Sequence, residues 1–418
     1  MKNLLIIIII LSVNLVYGQS TTWYPINSGT DHQLNVIDFP SNTVGYIGGN
    51  DSLLLKTTNG GLTWNPINFS GVSFFPGGEH IVNLEFTSET TGYMTVGPYA
   101  GTYKTTDGGL NWTQLTFVGN MCYNQGLYFW DEDNGVVGGS GCFQGEYFEV
   151  MNSGTLSAST VNTASWDATD IVVDIDFFDN QYGLAVSKGR VLRTLDGGAN
   201  WDTIPHGAPD IELTSVKIIS DTLAYAGYID LTSSFGLLKS NDSGQTWTWE
   251  MSMATFYYPD YHDITETNNG YIYSVGGADF QNDGLVFEDV GQGWWYYPVD
   301  HRLRSVDSYN DSTVFAVGDS GYVVTNINPS QLSFEEMSNS NANVELYPNP
   351  ATTELKLVFT NANQLNFNVV YVYDLLGNQI LTYNNFKNQL DVSNLSSGEY
   401  VLKVVTAEEI ITKKFIIQ

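Results

Sequence analysis

The sequence predicts an all-β protein, a seven-bladed β-propeller followed by a small immunoglobulin-like β-sandwich, and three observations carry this. The 418 residues hold 26 Tyr, 21 Phe, 10 Trp and 41 Gly against 15 Lys plus Arg, a composition of short strands and tight turns. A motif of Asp or Asn, Gly and Trp recurs with 48 residues from Trp64 to Trp112, 46 from Trp201 to Trp247 and 47 from Trp247 to Trp294. That is the period of a propeller blade, a four-stranded sheet that cannot bury its own faces. After a stretch rich in Ser and Asn, the chain returns to alternating apolar strands from Val344 onward.

The elements follow in chain order. Met1-Lys2 and an apolar run from Leu4 to Leu11 precede Tyr17-Gly18-Gln19. A basic start, a short apolar core and a small residue at the exit read as a signal peptide over 1–18, cleaved after Gly18. The run is too short to cross a bilayer. No later run is longer, so the mature chain is expected to lack a transmembrane segment.

Residues 19–328 are read as the propeller. Thr57-Thr58-Asn59-Gly60-Gly61-Leu62-Thr63-Trp64 recurs as Thr105 to Trp112, Thr194 to Trp201 and Ser240 to Trp247, and a degraded copy keeps Asp289, Gly291 and Trp294. The 89 residues from Trp112 to Trp201 are two repeats with one motif missing, and Met151-Asn152-Ser153-Gly154 stands in its place. Paired apolar strands, such as Leu34 to Phe39 followed by Gly45 to Gly49, begin at 34, 81, 125, 171, 213, 261 and 303. The seventh unit has no tryptophan strand of its own. Thr22-Trp23-Tyr24-Pro25-Ile26 is similar to Trp64-Asn65-Pro66-Ile67, so an N-terminal strand is expected to complete the last blade.

The motif residues have structural work to do. An Asp or Asn side chain bonds backbone amides two residues on and fixes a turn. Gly supplies a backbone conformation that strains other residues, and Trp offers a large apolar plate for packing between blades. This role is assigned to Asn59, Gly61 and Trp64; Asp107, Gly109 and Trp112; Asp196, Gly198 and Trp201; Asp242, Gly244 and Trp247; and Asp289, Gly291 and Trp294. All sit in the hairpin between third and fourth strands, away from the face where propellers bind ligands.

Loops on the other face are where binding is expected. Phe69 to His80 carries Phe74 and Phe75, and Met251 to His262 carries Phe256, Tyr257, Tyr258 and Tyr261. Aromatic side chains there form a candidate ligand face that stacks sugars or grips a peptide; covering the propeller mouth is the plainer role. Cys122 and Cys142 are a candidate disulfide in an exported chain. The formal charge of −30 argues against nucleic acid and anionic lipid, and reads as a solvated acidic surface.

The repeated motif resembles the Asp-box (BNR repeat), known from sialidases, sortilin-type receptors and photosystem II assembly-factor repeats. The phrases Lys104 to Trp112 and Gly45-Tyr46-Ile47-Gly48-Gly49 are most similar to the last group. The resemblance implies fold rather than activity. Sialidases need three arginines on a carboxylate, whereas Arg190, Arg193, Arg302 and Arg304 form two adjacent pairs. Two-carboxylate glycosidase chemistry would draw on Asp174 and Asp176, which share one side of a strand, or on Asp131 to Asp133, which reads as a solvated turn. No nucleophile triad, P-loop or zinc spacing is present, so no metal and no cofactor is expected.

Residues 329–343 read as a linker and 344–418 as a separate domain. Tyr347-Pro348-Asn349-Pro350, Gly377 after an alternating strand, Gly398 before Tyr400, and Lys414 near the end occur in order. This set resembles the type A C-terminal sorting domain of type IX secretion in the Bacteroidota. That resemblance implies periplasmic transit, handling by the type IX machinery, and release or attachment at the outer surface. The expected function is a non-enzymatic module binding an extracellular protein or glycan; the alternative is a glycan-active enzyme on the same scaffold.

Overall fold

The computed structural model describes residues 22–418 except 75–79, 98–100, 119–120, 142–143, 163–170, 208–210, 231–233, 255–258, 279–282, 292, 311, 329–342, 361–366, 375–378, 385–388, 397 and 407–409. Residues 1–18 and nearly all of the linker therefore lie outside it. Seven antiparallel sheets follow one another along the chain. Blade 1 comprises Leu34–Asp38, Gly45–Gly49, Leu54–Thr57 and Asn65–Pro66 in spatial order. The inner strands of blades 2 to 7 are His80–Phe86, Met121–Phe129, Val172–Phe177, Ile211–Ile218, Pro259–Glu266 and Leu303–Ser308. Blade 4 gains a fifth strand, Thr160–Asn162, parallel to its outer strand Asn200–Ile204.

The ring closes through both ends of the propeller. Tyr24–Asn27 pairs antiparallel with Tyr322–Thr325, with Ile26 opposite Val323. Ser28 Oγ then donates to Gly321 O at 2.6 Å. The free outer edge of blade 7 is thereby occupied by the start of the chain.

Alternation puts apolar residues on both faces of every blade, and neighbouring blades bury them together. Blades 7 and 1 share one such cluster, in which Phe315 and Val317 meet Leu34, Phe39 and Trp64. Blades 3 and 4 share another, where Phe148 stacks on Trp201 at 4.4 Å between ring centroids. Within blades, Phe39, Phe86, Phe129 and Phe177 end the inner strands and lie over the first residue of the next strand. A Cβ on Gly45, Gly92, Gly135 or Gly183 would meet those rings at 2.5, 2.5, 2.2 and 2.6 Å. Glycine is needed at these four places for space.

The second unit is a sandwich. Asn343–Tyr347, Glu354–Thr360 and Gln389–Asp391 form one sheet, and Gln379–Asn384, Phe367–Asp374, Gly398–Thr406 and Ile410–Ile417 the other. Leu355, Leu357 and Leu390 pack against Val370, Leu402, Val404 and Phe415 in one core. No helix among the described residues is long and apolar enough to cross a membrane.

Two outcomes follow from this packing. Deleting residues 19–27 removes the closing strand and should lower the melting temperature by roughly 10 °C, the effect of a few kcal/mol in a chain of this size; an unchanged calorimetric melt would refute closure as a source of stability. Gly45→Ala forces a methyl into the Phe39 ring and should cost about 1–3 kcal/mol in denaturant titration.

Candidate binding face

The box residues are spent on their own turns. In box 2, Thr105 Oγ1 donates to Asp107 Oδ1 at 2.9 Å, and Asp107 accepts from Asn111 N at 2.9 Å and Asn111 Nδ2 at 2.8 Å. Asn59, Asp196 and Asp242 accept in the same way from Thr63 N, Asn200 N and Thr246 N at 3.1, 2.9 and 2.8 Å. Those bonds, the Asn111 amide foremost, hold the Asp107 carboxyl down at about 2. Gly61, Gly109, Gly198 and Gly244 have positive φ and press against Phe315, Leu54, Val136 and Leu184 of the preceding blade. Trp64, Trp112, Trp201 and Trp247 are buried beside them. In the degraded copy, Asp289 accepts from Gly291 N and Gly293 N, while Trp294 is only half-buried. Each box carboxylate is thus engaged in its own turn.

The opposite face opens into a funnel. All seven inner strands carry a β-bulge at the same place: between Leu34 and Val36, Ile81 and Asn83, Asn124 and Gly126, Val172 and Asp174, Leu213 and Ser215, Tyr261 and Asp263, and Leu303 and Ser305. A bulge leaves one residue unpaired and re-aims its side chain. The bulged residues Asn35, Val82, Gln125, Val173 and Arg304 line one cavity of about 470 Å³ at the mouth, joined by Gln33, Asn50, His80 and Asn83. Part of this wall is pre-organised: Asn35 Nδ2 donates to Asn50 Oδ1 and to Ile81 O, both at 2.9 Å, and Gln33 Nε2 to Asn35 Oδ1 at 2.7 Å. His80 Nδ1 is buried there without a partner among the described residues.

Below the mouth lies a smaller cavity of about 180 Å³ into which the inner strands project acidic side chains. Asp38, Glu85, Tyr128, Asp176, Lys217, Thr265 and Asp307 occupy equivalent places, one per blade. The oxygens of five of them reach the next blade's backbone, Tyr128 by donating to Phe177 O at 3.2 Å. Asp38 accepts from Phe86 N at 2.9 Å, Glu85 from Phe129 N at 3.0 Å, Asp176 from Ile218 N at 2.6 Å, and Asp307 from Phe39 N at 2.7 Å. One turn higher, Asp174 accepts from Val216 N at 2.8 Å and Asp263 from Val306 N at 3.0 Å. Lys217 is the single cation among them and sits 3.1 Å from Asp176.

Burial disfavours the charged form of these groups. It pushes Asp174 up to about 8, aided by Asp263, and raises Glu85 well above the usual range against the Phe129 hydrogen bond. Burial also raises Asp38, with Asp307 beside it adding to the effect. Asp176 is raised by burial while Lys217 opposes. For Lys217, burial would lower the pKa, but Asp176 outweighs it and holds the ammonium charged.

Other expected site residues are dispersed. Phe74 is half-buried against Phe69 in the cluster between blades 1 and 2, not free at the mouth. Tyr261 stands in the inner strand Pro259–Glu266, paired with Gly276, rather than in a loop. Phe75, Phe256, Tyr257, Tyr258 and Cys142 lie outside the described residues, as does the Cys122 side chain, so the disulfide is not described. Every arginine has a partner on the chain: Arg190 bonds Glu146, Arg302 and Arg304 share Asp319, and Arg193 lies over the Tyr182 ring. No three-arginine clamp exists. Among the described residues no group of three His, Cys, Asp or Glu is placed to hold a metal ion.

In the second unit, Asn349 Oδ1 accepts from Ile416 N at 2.8 Å, and Ala351 exchanges bonds with Ile416 and Gln418. The Pro348–Pro350 segment is thereby tied to the final strand, with Tyr347 exposed beside it. Tyr400 stacks on Phe415 and donates to Ser396 O at 2.9 Å. Gly398 opens the strand Gly398–Thr406, Lys414 is exposed, and Gly377 is outside the described residues.

Residues 345–418 match the secretion system C-terminal sorting domain. The chain therefore carries a type IX sorting tail, which directs a protein to the cell surface or beyond. Over 96 residues the chain is 33% identical to the photosystem II assembly lipoprotein Ycf48 of Synechococcus sp. (strain CC9902), a match covering 21% of this chain and 28% of that protein. The chain thus spans little more than a quarter of that curated relative. Among solved structures, YCF48 bound to D1 peptide superposes with a TM-score of 0.54 at 17% identity, over 73% of this chain and 97% of that one. The GH74 xyloglucanase from Xanthomonas campestris gives 0.57 at 11%, over 81% and 59%. These likenesses establish the propeller fold, which binding proteins and enzymes share.

The buried ring makes stability depend on pH with a definite sign. A carboxyl whose folded pKa lies above its unfolded value favours folding fully below the unfolded pKa, and that contribution is lost as pH rises through the folded one. For Asp174 the window runs from about 4 to about 8. Denaturant unfolding should therefore show lower stability at pH 9 than at pH 5, and Asp174→Asn should flatten the slope. Stability that rises with pH would refute the assignment.

Proposed function

We propose that the mature protein is a secreted or surface-held, non-catalytic binding module that takes an extracellular protein segment or glycan at the funnel mouth. The observation that carries this reading is the cavity of about 470 Å³ walled by residues of blades 1, 2, 3, 4 and 7. Its size suits a small ligand or a few residues of a polymer. Its amide side chains offer donors and acceptors without fixed charge, which suits peptide backbones and sugar hydroxyls alike. The solved neighbour bound to a peptide supports the same use of the fold.

The enzymatic alternative has less support. A glycosidase needs one carboxyl to protonate the leaving group and another free to attack or to activate water. Asp174 and Asp176 instead accept backbone amides from the next blade and are buried. Acids committed in this way hold the ring together. The box residues likewise act as turn-builders within an Asp-box repeat. The chain enters the periplasm by its signal peptide, is cleaved after Gly18, and leaves through the type IX route of a Bacteroidota cell.

Mature protein should be incubated with a glycan array and a peptide library, reading both retention and product release. Retention without turnover is expected, weakened about tenfold by Gln125→Ala, one lost hydrogen bond's worth of affinity, and abolished by Val173→Trp, which fills the mouth. Product release that disappears in Asp174→Asn would overturn the reading in favour of an enzyme.

A further inference from the structure

Blade 3 lacks a box and, like blades 4, 6 and 7, has no Tyr–Lys pair across its second and third strands; beside it lies a cavity. In blades 1, 2 and 5 a Tyr of the second strand faces a Lys of the third: Tyr46 and Lys56, Tyr93 and Lys104, Tyr225 and Lys239. Each ammonium lies 4.9 to 5.4 Å from its ring centre. In blade 1 the Tyr46 ring stacks on Phe86 of blade 2, and its hydroxyl donates to Glu89 O at 2.8 Å. Blade 2 repeats this, with Tyr93 stacked on Phe129 of blade 3 and Lys104 bonded to Asp133. The pair thus fills the space under the next blade's first turn.

In blade 3 the equivalent residues are Val136 and Val150, which face each other in the same register. Both pack on blade 4 beside Gly198 and Trp201, but they are shorter than Tyr and Lys and carry no polar group toward its first turn. The box is also gone, replaced by the two-residue turn Ser153-Gly154 between Gln144–Asn152 and Thr155–Ala158. A cavity of about 340 Å³ remains between blades 3 and 4. Trp130, Asn152, Asn180, Gln181, Asp131 and Asp196 line it. The carbonyl of Asn180, which corresponds to Glu89, accepts from Gln181 Nε2 at 2.8 Å rather than from a tyrosine.

The walls are stiff, and part of their polar surface is unused. Asp131 accepts from Asp133 N and Asn134 Nδ2, and Asp196 is engaged in its box turn. Trp130 packs on Phe177 at 5.4 Å and is only half-buried. No described group bonds the Trp130 indole N–H or the Asn152 and Asn180 carboxamides. An aromatic plate beside uncommitted amides suits apolar sugar C–H faces and hydroxyls together. The two carboxylates in the wall accept from hydroxyls and repel anions.

From this juxtaposition we infer that the gap between blades 3 and 4 is a second binding site, for a neutral saccharide residue, on the box face and independent of the funnel mouth. Trp130 stacks on the pyranose ring, and Asn152, Asn180 and Gln181 bond its hydroxyls.

The test is saturation-transfer NMR on the mature chain with cellobiose, N,N′-diacetylchitobiose and lactose at millimolar concentration. Transfer to the ring protons of at least one is expected. It should fall about tenfold in Trp130→Ala, consistent with loss of one stacked residue, and persist in Trp130→Phe and in the mouth variant Val173→Trp. Introducing the pair of blades 1, 2 and 5 with Val136→Tyr and Val150→Lys should fill the cavity and abolish transfer; Asn180→Ala, expected to weaken transfer, serves if that variant fails to fold. No transfer from any of the three sugars, or transfer unchanged in Trp130→Ala, overturns the inference. Loss in Val173→Trp alone would return the sugar to the mouth and overturn it equally.

Discussion

The hydrogen bond from an inner-strand carboxyl to the next blade's backbone is the constraint on which the rest of the propeller depends. Blades are independent sheets, so apolar packing alone would let neighbours slide along one another, because burial is non-directional. Asp38 on Phe86, Glu85 on Phe129, Asp176 on Ile218 and Asp307 on Phe39 fix that sliding coordinate. The last of these joins blade 7 to blade 1 and seals the ring from within, as Tyr24–Asn27 seals it from outside.

This arrangement sets the chemistry of the centre. Six carboxyls and one lysine cannot all be charged in a cavity of about 180 Å³ without a large desolvation cost. Protonation of part of the ring relieves it, and a protonated carboxyl still accepts a backbone N–H. The centre is therefore a structural hub, whereas the bulged tier above it re-aims Asn35 and Gln125 beside Val82, Val173 and Arg304, the last already paired with Asp319. In a chain with formal charge −30, that mouth is lined by no carboxylate among the described residues.

Much of this is legible in the sequence, for a physical reason. Box turns need Asp or Asn, Gly and Trp at fixed offsets, so Asn59, Asp107, Asp196 and Asp242 announce themselves, and their period counts the blades. The sorting domain is equally plain, since Pro348, Asn349 and Pro350 are tied to the final strand. The mouth is not legible. A bulge breaks the two-residue alternation, so Asn35, Gln125 and Arg304 read as outward or incidental residues when periodicity is assumed. The signal was present as a variable residue after Leu34, Asn124 and Leu303, each followed by a resumed alternation. Aromatic composition pointed instead to loops, and Phe74 shows why that misleads: a loop aromatic beside a blade seam is drawn into the seam by its own apolar area.

A repeat protein also locates its functions by where it stops repeating. Contacts that recur from blade to blade, such as Phe39 over Gly45 in blades 1 to 4 or Tyr46 on Phe86 in blades 1 and 2, are set by the geometry of the ring and say nothing about a ligand. Residues released from that geometry are free to differ. The bulged tier is released by its backbone, and blade 3 by lacking both a box and a Tyr–Lys pair. Val136 and Val150 keep the seam apolar, with Val136 fully buried, so stability does not require the gap to be filled. A cavity that the fold tolerates, yet lines with Trp130 and unspent amides rather than more valines, is better explained by recognition than by packing.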